Sequence, residues 1–258
     1  MQTVDAGKRK CWRLTPAILG ALSAVLLSWC LLVAATFMVC YLNPGYFERE
    51  YEKYDVLSDL PEMTMSKDDG LMKVTHHMMD YLIHGTKAEE LQVEVMMDGE
   101  MRGFFTEREI AHMWDVRVLF MAAIRYFAFA MMGVILMLLI SRMLICSFDR
   151  KTFRISTGSG IVFGTVLVMI GFAVLGMHII THFDTDFITF HHMFFDNDLW
   201  ILDPSKDMLI NIVPEGFFFD TALRIVIYYA VLMVLMLASG IGLIVLGRRL
   251  PDFEYNAF

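Results

Sequence analysis

Four long apolar runs, at 16–42, 121–145, 159–181 and 222–247, set the terms on which this chain can fold. About 20 apolar residues in a helix cross the hydrocarbon of a bilayer, and each run is long enough to do so. With 57% hydrophobic residues and a mean hydropathy of +0.55, the chain is too apolar for a soluble domain of its 258 residues. The first run follows Lys8-Arg9-Lys10, as a signal peptide's core would. It exceeds the length of such a core and carries no small-x-small cleavage site, so it is expected to be an uncut anchor. The fold class that follows is an all-α integral membrane protein with four transmembrane helices.

The basic residues give an orientation. Lys8, Arg9, Lys10 and Arg13 precede the first run, while Arg142, Arg150, Lys151 and Arg154 surround the link at 146–158. Arg248 and Arg249 follow the fourth run. All fall on one side, so the positive-inside rule places the N-terminus (1–15), the link and the tail (248–258) in the cytoplasm. The longer connections, 43–120 and 182–221, then face outward as a mostly helical cap. They carry most of the net charge of −8, which argues against nucleic acid as a partner. Cys11, Cys30, Cys40 and Cys146 supply no pair in the outer segments, so no disulfide framework is expected there.

Along the cap, Asn43-Pro44-Gly45 marks an exit turn, and 46–59 is charged and aromatic with no clear period. Leu71, Val74, Met78 and Leu82 recur at helical spacing, predicting an amphipathic helix over 66–83. His76, His77 and His84 read as solvated positions of that region. Leu91, Val93, Val95 and Met97 alternate before Asp98-Gly99, the pattern of a short β-hairpin reaching Phe105.

Thr106-Glu107-Arg108-Glu109 fits a capping box, so a helix starts there and is expected to run toward the second span. On that helix Glu109, His112 and Asp115 recur at three-residue spacing and share a face. An imidazole between carboxylates has the makings of a general base, but spacing alone favours a surface histidine with incidental acidic neighbours. Arg125 lies 17 residues before Arg142, about 26 Å along a helix. Either it reaches the outer headgroups and marks the membrane boundary, or it faces the bundle interior as a functional charge. The first of these leaves His112 about 20 Å above the boundary unless the helix breaks, tilts or lies along the surface.

The connection at 182–221 holds two adjacent histidines, many aromatic rings and a cluster of acids. Such a mixture suits an interfacial or re-entrant segment at the membrane–water boundary. Within it Asp203-Pro204 predicts the start of a short helix ended by Pro214, and Asp220-Thr221 predicts the cap of the fourth span. His178, His182, His191 and His192 carry no HExxH pattern and no structural zinc spacing, so no metal or other cofactor is expected. Ser58, Ser66 and Ser205 have no histidine beside them in sequence, and Gly158-Ser159-Gly160 is not a nucleophile elbow. Histidine acid–base chemistry is the enzymatic reading that is left.

The run Thr106 to Arg117, with His112 and Asp115 inside it, and the run Phe190 to Pro204, with His191, His192, Phe194, Phe195, Asn197 and Trp200, resemble the bacterial lipoprotein intramolecular transacylase family. The four-span plan is similar as well. The resemblance implies a membrane enzyme that moves an acyl chain from the sn-2 glyceryl ester of a diacylglyceryl lipoprotein to the α-amino group of its N-terminal cysteine, giving the lyso form. It implies two catalytic histidines at the junction of cap and membrane, His112 and, from a Phe before it and Phe-Phe three positions later, His191 rather than His192. Asp115, Arg117, Phe190, Phe194, Phe195, Asn197 and Trp200 are then expected to support the site or hold substrate. Two other classes compete: a non-enzymatic scaffold or sensor with an acidic cap, and a metal-dependent membrane hydrolase.

Overall fold

A computed structural model describes residues 2–58, 60, 70–97, 99–145 and 150–251. The side chains of Lys8, Arg9, Lys10, Cys11 and Arg13 lie outside what it describes, as do Ser66 at the expected start of the cap helix, the turn residue Asp98, and 146–149 with Cys146. The described chain is helical except for one hairpin. Its helices are α1 (Gln2–Cys40), α2 (Tyr46–Lys53), α3 (Gly70–His84), α4 (Glu107–Ile145), α5 (Arg150–Thr181), α6 (Phe183–Phe194), α7 (Met208–Ile212) and α8 (Glu215–Arg248). Strands β1 (Glu94–Met97) and β2 (Glu100–Gly103) pair antiparallel. Segments of α1, α4, α5 and α8 are long and apolar enough to cross a membrane, so this is a multi-pass membrane protein.

The chain divides into two compact units. One comprises 1–36, 126–181 and 226–258. Its helices approach one another through glycines. A Cβ at Gly160 would stand 1.9 Å from the Ala17 carbonyl oxygen, and one at Gly158 would stand 2.7 Å from that of Gly240. The two glycines that flank Ser159 thus let α5 meet α1 on one side and α8 on the other, a small-residue contact suited to helices in lipid. Hydroxyls here bond to their own helix: Ser28 donates to the Val25 carbonyl at 2.6 Å and Thr165 to that of Ile161 at 2.7 Å. Those two hydroxyls are thereby satisfied without water, while the buried hydroxyls of Ser23, Ser141 and Thr157 have no partner among the described residues.

The other unit comprises 37–125 and 182–225. Helix α2 falls in the stretch without visible period. Tyr46, Glu50 and Tyr51 form its buried face, and the Tyr46, Phe47 and Tyr51 rings pack within about 6 Å of Phe217 at the head of α8. Tyr46 and Thr221 share a 2.6 Å hydrogen bond, Arg224 donates to Glu50 at 3.1 Å, and Asp220 takes Lys53 and Tyr54. Asp220 and Thr221 therefore clasp α2 from inside α8. They do not cap it as expected, because the helix already begins at Glu215, directly after Pro214.

Helix α3 buries Leu71, Val74, Met78 and Leu82, the four residues of the predicted stripe. His77 bonds to the Glu90 carbonyl and His84 pairs with Asp80 at the surface, so both act locally. The hairpin turns at Gly99, whose φ of +79° is costly for other residues. Val95 and Met97 point inward, and the Gln92 side chain closes the open end by binding both the N–H and the carbonyl of Phe105. Asp203-Pro204 opens a turn rather than a helix. Asp203 Oδ1 accepts from the Ser205 N–H and hydroxyl, its carbonyl accepts from the Lys206 and Asp207 amides, and α7 starts only at Met208.

Candidate acid–base site

Helix α4 runs unbroken for 39 residues, about 58 Å at 1.5 Å per residue, so it continues into the second span as expected, and a break is removed from the options open to His112. Its start is the capping box: Thr106 Oγ1 accepts from the Glu109 amide at 3.3 Å, and Glu109 Oε2 accepts from the Thr106 amide at 2.6 Å. Glu109 is fully buried because its other oxygen accepts from the Leu209 amide, which ties α7 to α4. Thr106 Oγ1 and Asp207 Oδ1, 3.2 Å apart, strengthen that tie.

These contacts revise the reading of the acidic face. Glu109 serves backbone amides, and Asp115 accepts from Asn197 Nδ2 at 2.8 Å. His112 is 7% exposed, and its Nδ1 has no hydrogen-bond partner among the described residues. The shared face is real, but it builds a clip on either side of His112 rather than a carboxylate–imidazole pair. Arg117 donates to the Tyr81 carbonyl at 3.2 Å and lies over the Trp114 ring. Arg125 is exposed and donates back to the Met121 carbonyl, so it does not face a packed interior.

Helix α6 brings the second histidine. Its i to i+4 geometry sets the His191 ring against Phe187, with Nδ1 2.7 Å from the Phe187 carbonyl. A carbonyl can only accept, so Nδ1 carries the hydrogen and Nε2 of the neutral ring holds the free lone pair. The His112 and His191 ring centroids are 6.2 Å apart, and Phe195 packs 5.4 Å from the first and 5.7 Å from the second. Trp200 stacks on His191 at 4.6 Å, while Phe190 meets it edge-on at 5.5 Å. Burial pushes the His191 pKa down; the Phe187 carbonyl pulls it partly back up, and His192 lowers it further. His192 is exposed and touches Trp200 edge-on. Phe194 packs against Phe190 at 4.8 Å, its ring tilted by 50°, on the exposed side of α6.

The loop after α6 is fastened to α4. Asn197 Oδ1 accepts from the Leu199 amide while its amide group holds Asp115, and Arg108 donates to the Asp198 and Leu199 carbonyls. Arg108 was not singled out by sequence reasoning. Its signal is weak, since a basic residue in a first helical turn resembles a solvated one. The Phe187 carbonyl was missed for another reason: 183–194 did not read as a helix, and only a helix places residue 187 under residue 191. Phe187 also lines a cavity of about 240 Å3 with Ile188, Ile210, Val213, Phe218 and the carboxylates Asp184 and Glu215. Among the described residues no three His, Cys, Asp or Glu side chains converge as a metal-binding group.

Membrane-length helices and a buried histidine pair walled by aromatic rings define an integral membrane protein with a candidate acid–base centre. The family model described as lipoprotein intramolecular transacylase Lit matches residues 21–218, and the chain belongs to that family. The fold agrees. The solved transacylase of Bacillus cereus is similar at a TM-score of 0.56 and 18% identity, over 90% of this chain and 94% of that one. Its histidine-to-alanine variant gives 0.66 over 90% and 95%, and its histidine-to-arginine variant 0.62 over 96% of both chains, each at 18% identity. No curated protein matches the chain.

Proposed function

We propose that this protein is an intramolecular O-to-N transacylase. It moves the acyl chain at the sn-2 glyceryl ester of a diacylglyceryl lipoprotein to the α-amino group of the N-terminal cysteine. Family membership supplies the reaction class, and the His112–His191 pair is the observation that carries the assignment to a site. The basic residues that flank the spans support cytoplasmic termini and a site on the outer face of the membrane.

The roles follow from the tautomer and the surroundings. With Nδ1 donated to Phe187, His191 presents Nε2 as a base, and its lowered pKa keeps it unprotonated at neutral pH. A peptide α-ammonium has a pKa of about 7.7–8.0, so the imidazole needs to remove a proton that is already loosely held. The free amine attacks the ester carbonyl carbon, the nitrogen–carbon bond forms, and the carbonyl pair moves onto oxygen. Collapse restores the carbonyl and breaks the bond to the glyceryl oxygen, which takes the proton lost by the attacking nitrogen and relayed by His191. His112, its pKa pushed down to about 4 by burial and by the neighbouring His191, is unprotonated at neutral pH and stands opposite as a neutral ring. Both reacting groups belong to one substrate molecule, so most of the enzyme's task is positioning, an effect of about 7–11 kcal/mol when orientation is good. Phe190, Phe194, Phe195 and the cavity beside Phe187 offer apolar surface for the hydrocarbon. Asp115 and Asn197 fix the loop, and the Asp115 carboxylate also pulls the His112 pKa partly back up against the drop caused by burial.

The test is a mass measurement. Detergent-purified protein with a chelator is mixed with a diacylated lipopeptide bearing a free N-terminal cysteine, and fragmentation locates the acyl chain. Unchanged mass with the chain on nitrogen, lost in His112→Ala, is the expected result. Released fatty acid would make the protein a hydrolase, and an unchanged substrate with folded protein would favour the scaffold.

A further inference from the structure

The indole of Trp200 has a single polar atom, Nε1, which can only donate. That atom is closed to solvent and has no acceptor among the described residues. Buried tryptophan N–H groups usually find a partner, and leaving one without is destabilising. An orphaned buried donor in a native protein therefore calls for a reason, and a catalytic role is one of the few available.

The surroundings single out this donor. Trp200 lies nearly parallel to His191, at 4.6 Å and 28°, and perpendicular to His192, at 5.3 Å and 89°. Its loop is held by Arg108 on the Asp198 and Leu199 carbonyls, by Asn197 on Asp115, and by the Ile201 amide on the Asp198 carbonyl at 3.2 Å. These ties fix the indole against the histidine while none of them satisfies its N–H. The cationic donors of the neighbourhood are engaged elsewhere, Arg108 on that loop and Arg117 on the Tyr81 carbonyl. His112 Nδ1 is also buried without a partner, but an imidazole nitrogen donates or accepts according to tautomer, whereas the indole does only one thing.

We infer that the Trp200 Nε1–H is an oxyanion donor: it hydrogen-bonds the ester carbonyl oxygen as that oxygen gains the electron pair during attack by the substrate amine. This rests on the transacylase reading above. As the amine nitrogen bonds to the carbonyl carbon, the negative charge collects on one oxygen beside His191, in a setting from which water is largely excluded. The donor is closed to solvent in the free protein, so substrate entry has to part the packing over it; once reached, its fixed direction is worth most as the charge appears. The bond is released when the carbonyl re-forms and the glyceryl oxygen departs with its proton. The uncompensated N–H of the free protein is then a group whose partner exists only during the reaction, so it strengthens the transition state more than the ground state.

Two variants test this. Trp200→Phe keeps an aromatic face for His191 and removes the N–H. Replacement by 3-benzothienylalanine keeps the bicyclic shape and removes only the donor. Both are expected to lower kcat by about 10²–10³ with KM within about twofold, as loss of one oxyanion donor does elsewhere. A phosphonate analogue of the ester, whose anionic oxygen imitates the oxyanion, should lose affinity in parallel with kcat in the benzothienyl variant, and a ring that merely props His191 would show no such parallel. An unfolding midpoint within a few degrees of wild type confirms that the shape survives. If wild type moves the acyl chain and the benzothienyl variant turns over within twofold of it, the donor role is wrong and the reaction stands. If wild type moves no acyl chain, the transacylase reading itself falls.

Discussion

The unit of 1–36, 126–181 and 226–258 and the unit of 37–125 and 182–225 are held by opposite means. In the first, backbones touch: Gly160 leaves no room for a Cβ beside Ala17, and hydroxyls such as those of Ser28 and Thr165 are satisfied within their own helix. In the second, elements far apart in sequence are joined by polar groups, buried in Glu109 to Leu209, half-buried in Glu50 to Arg224 and exposed in Asp115 to Asn197. The difference matches the solvent each is built for. Lipid gives helices no hydrophobic drive to associate, so close packing does the work. A unit that must hold reacting groups in a fixed pose needs directional bonds, and those come from side chains whose amides and carbonyls have nowhere else to go.

The sharpest way to break the comparison is Gly160→Leu. It inserts a side chain where even a Cβ meets backbone oxygen at 1.9 Å, and should cost at least the upper end of the about 1–3 kcal/mol typical of overpacking. Loss of monodisperse folded protein in detergent is the readout. Glu109→Ala attacks the other unit by leaving the Thr106 and Leu209 amides without an acceptor, an expected loss of about 2–4 kcal/mol in thermal unfolding.

A subtler prediction concerns pH. The His191 pKa is lowered by burial, so the base is already unprotonated at and above its ordinary value of about 6.5. The rate should rise by about tenfold per pH unit until the substrate amine loses its proton near about 7.7–8.0, with no break at 6.5. A further break near about 6.5, below that of the amine, would show that His191 is solvated. The same shift has a stability consequence: a depressed histidine pKa favours the folded state above the unfolded value, and that contribution fades as pH falls through the folded pKa. The smallest expected effect is that of Asn197→Ala, about 1 kcal/mol from one partly exposed bond, with a rate loss exceeding the stability loss if the loop positions Trp200.

How much of this was legible in the sequence depended on whether the signal was local. The four spans, the Leu71–Val74–Met78–Leu82 stripe, the hairpin around Gly99 and the Thr106–Glu109 box are written in short-range periodicity, and each appears in the structure. Helix starts near prolines were misread, because Asp203-Pro204 and Pro214 fit both a turn and a cap until their amides are assigned. The pairing of His112 with His191 spans 79 positions, which no local pattern encodes; the family motifs supplied it. The Leu209 partner of Glu109 and the Asn197 partner of Asp115 were invisible for the same reason, since a carboxylate one turn from a histidine looks the same whether it faces the ring or a distant amide.

The central claim separates two adjacent residues, one buried against Phe187 and Trp200, the other exposed. Single-turnover acyl migration, followed by fragmentation of the lipopeptide, should therefore be compared for His191→Ala and His192→Ala beside wild type. The account predicts a loss of about 10²–10⁴ for His191→Ala, the range of a general base, and a change within about threefold for His192→Ala. Equal losses, or a larger loss at His192, would contradict it.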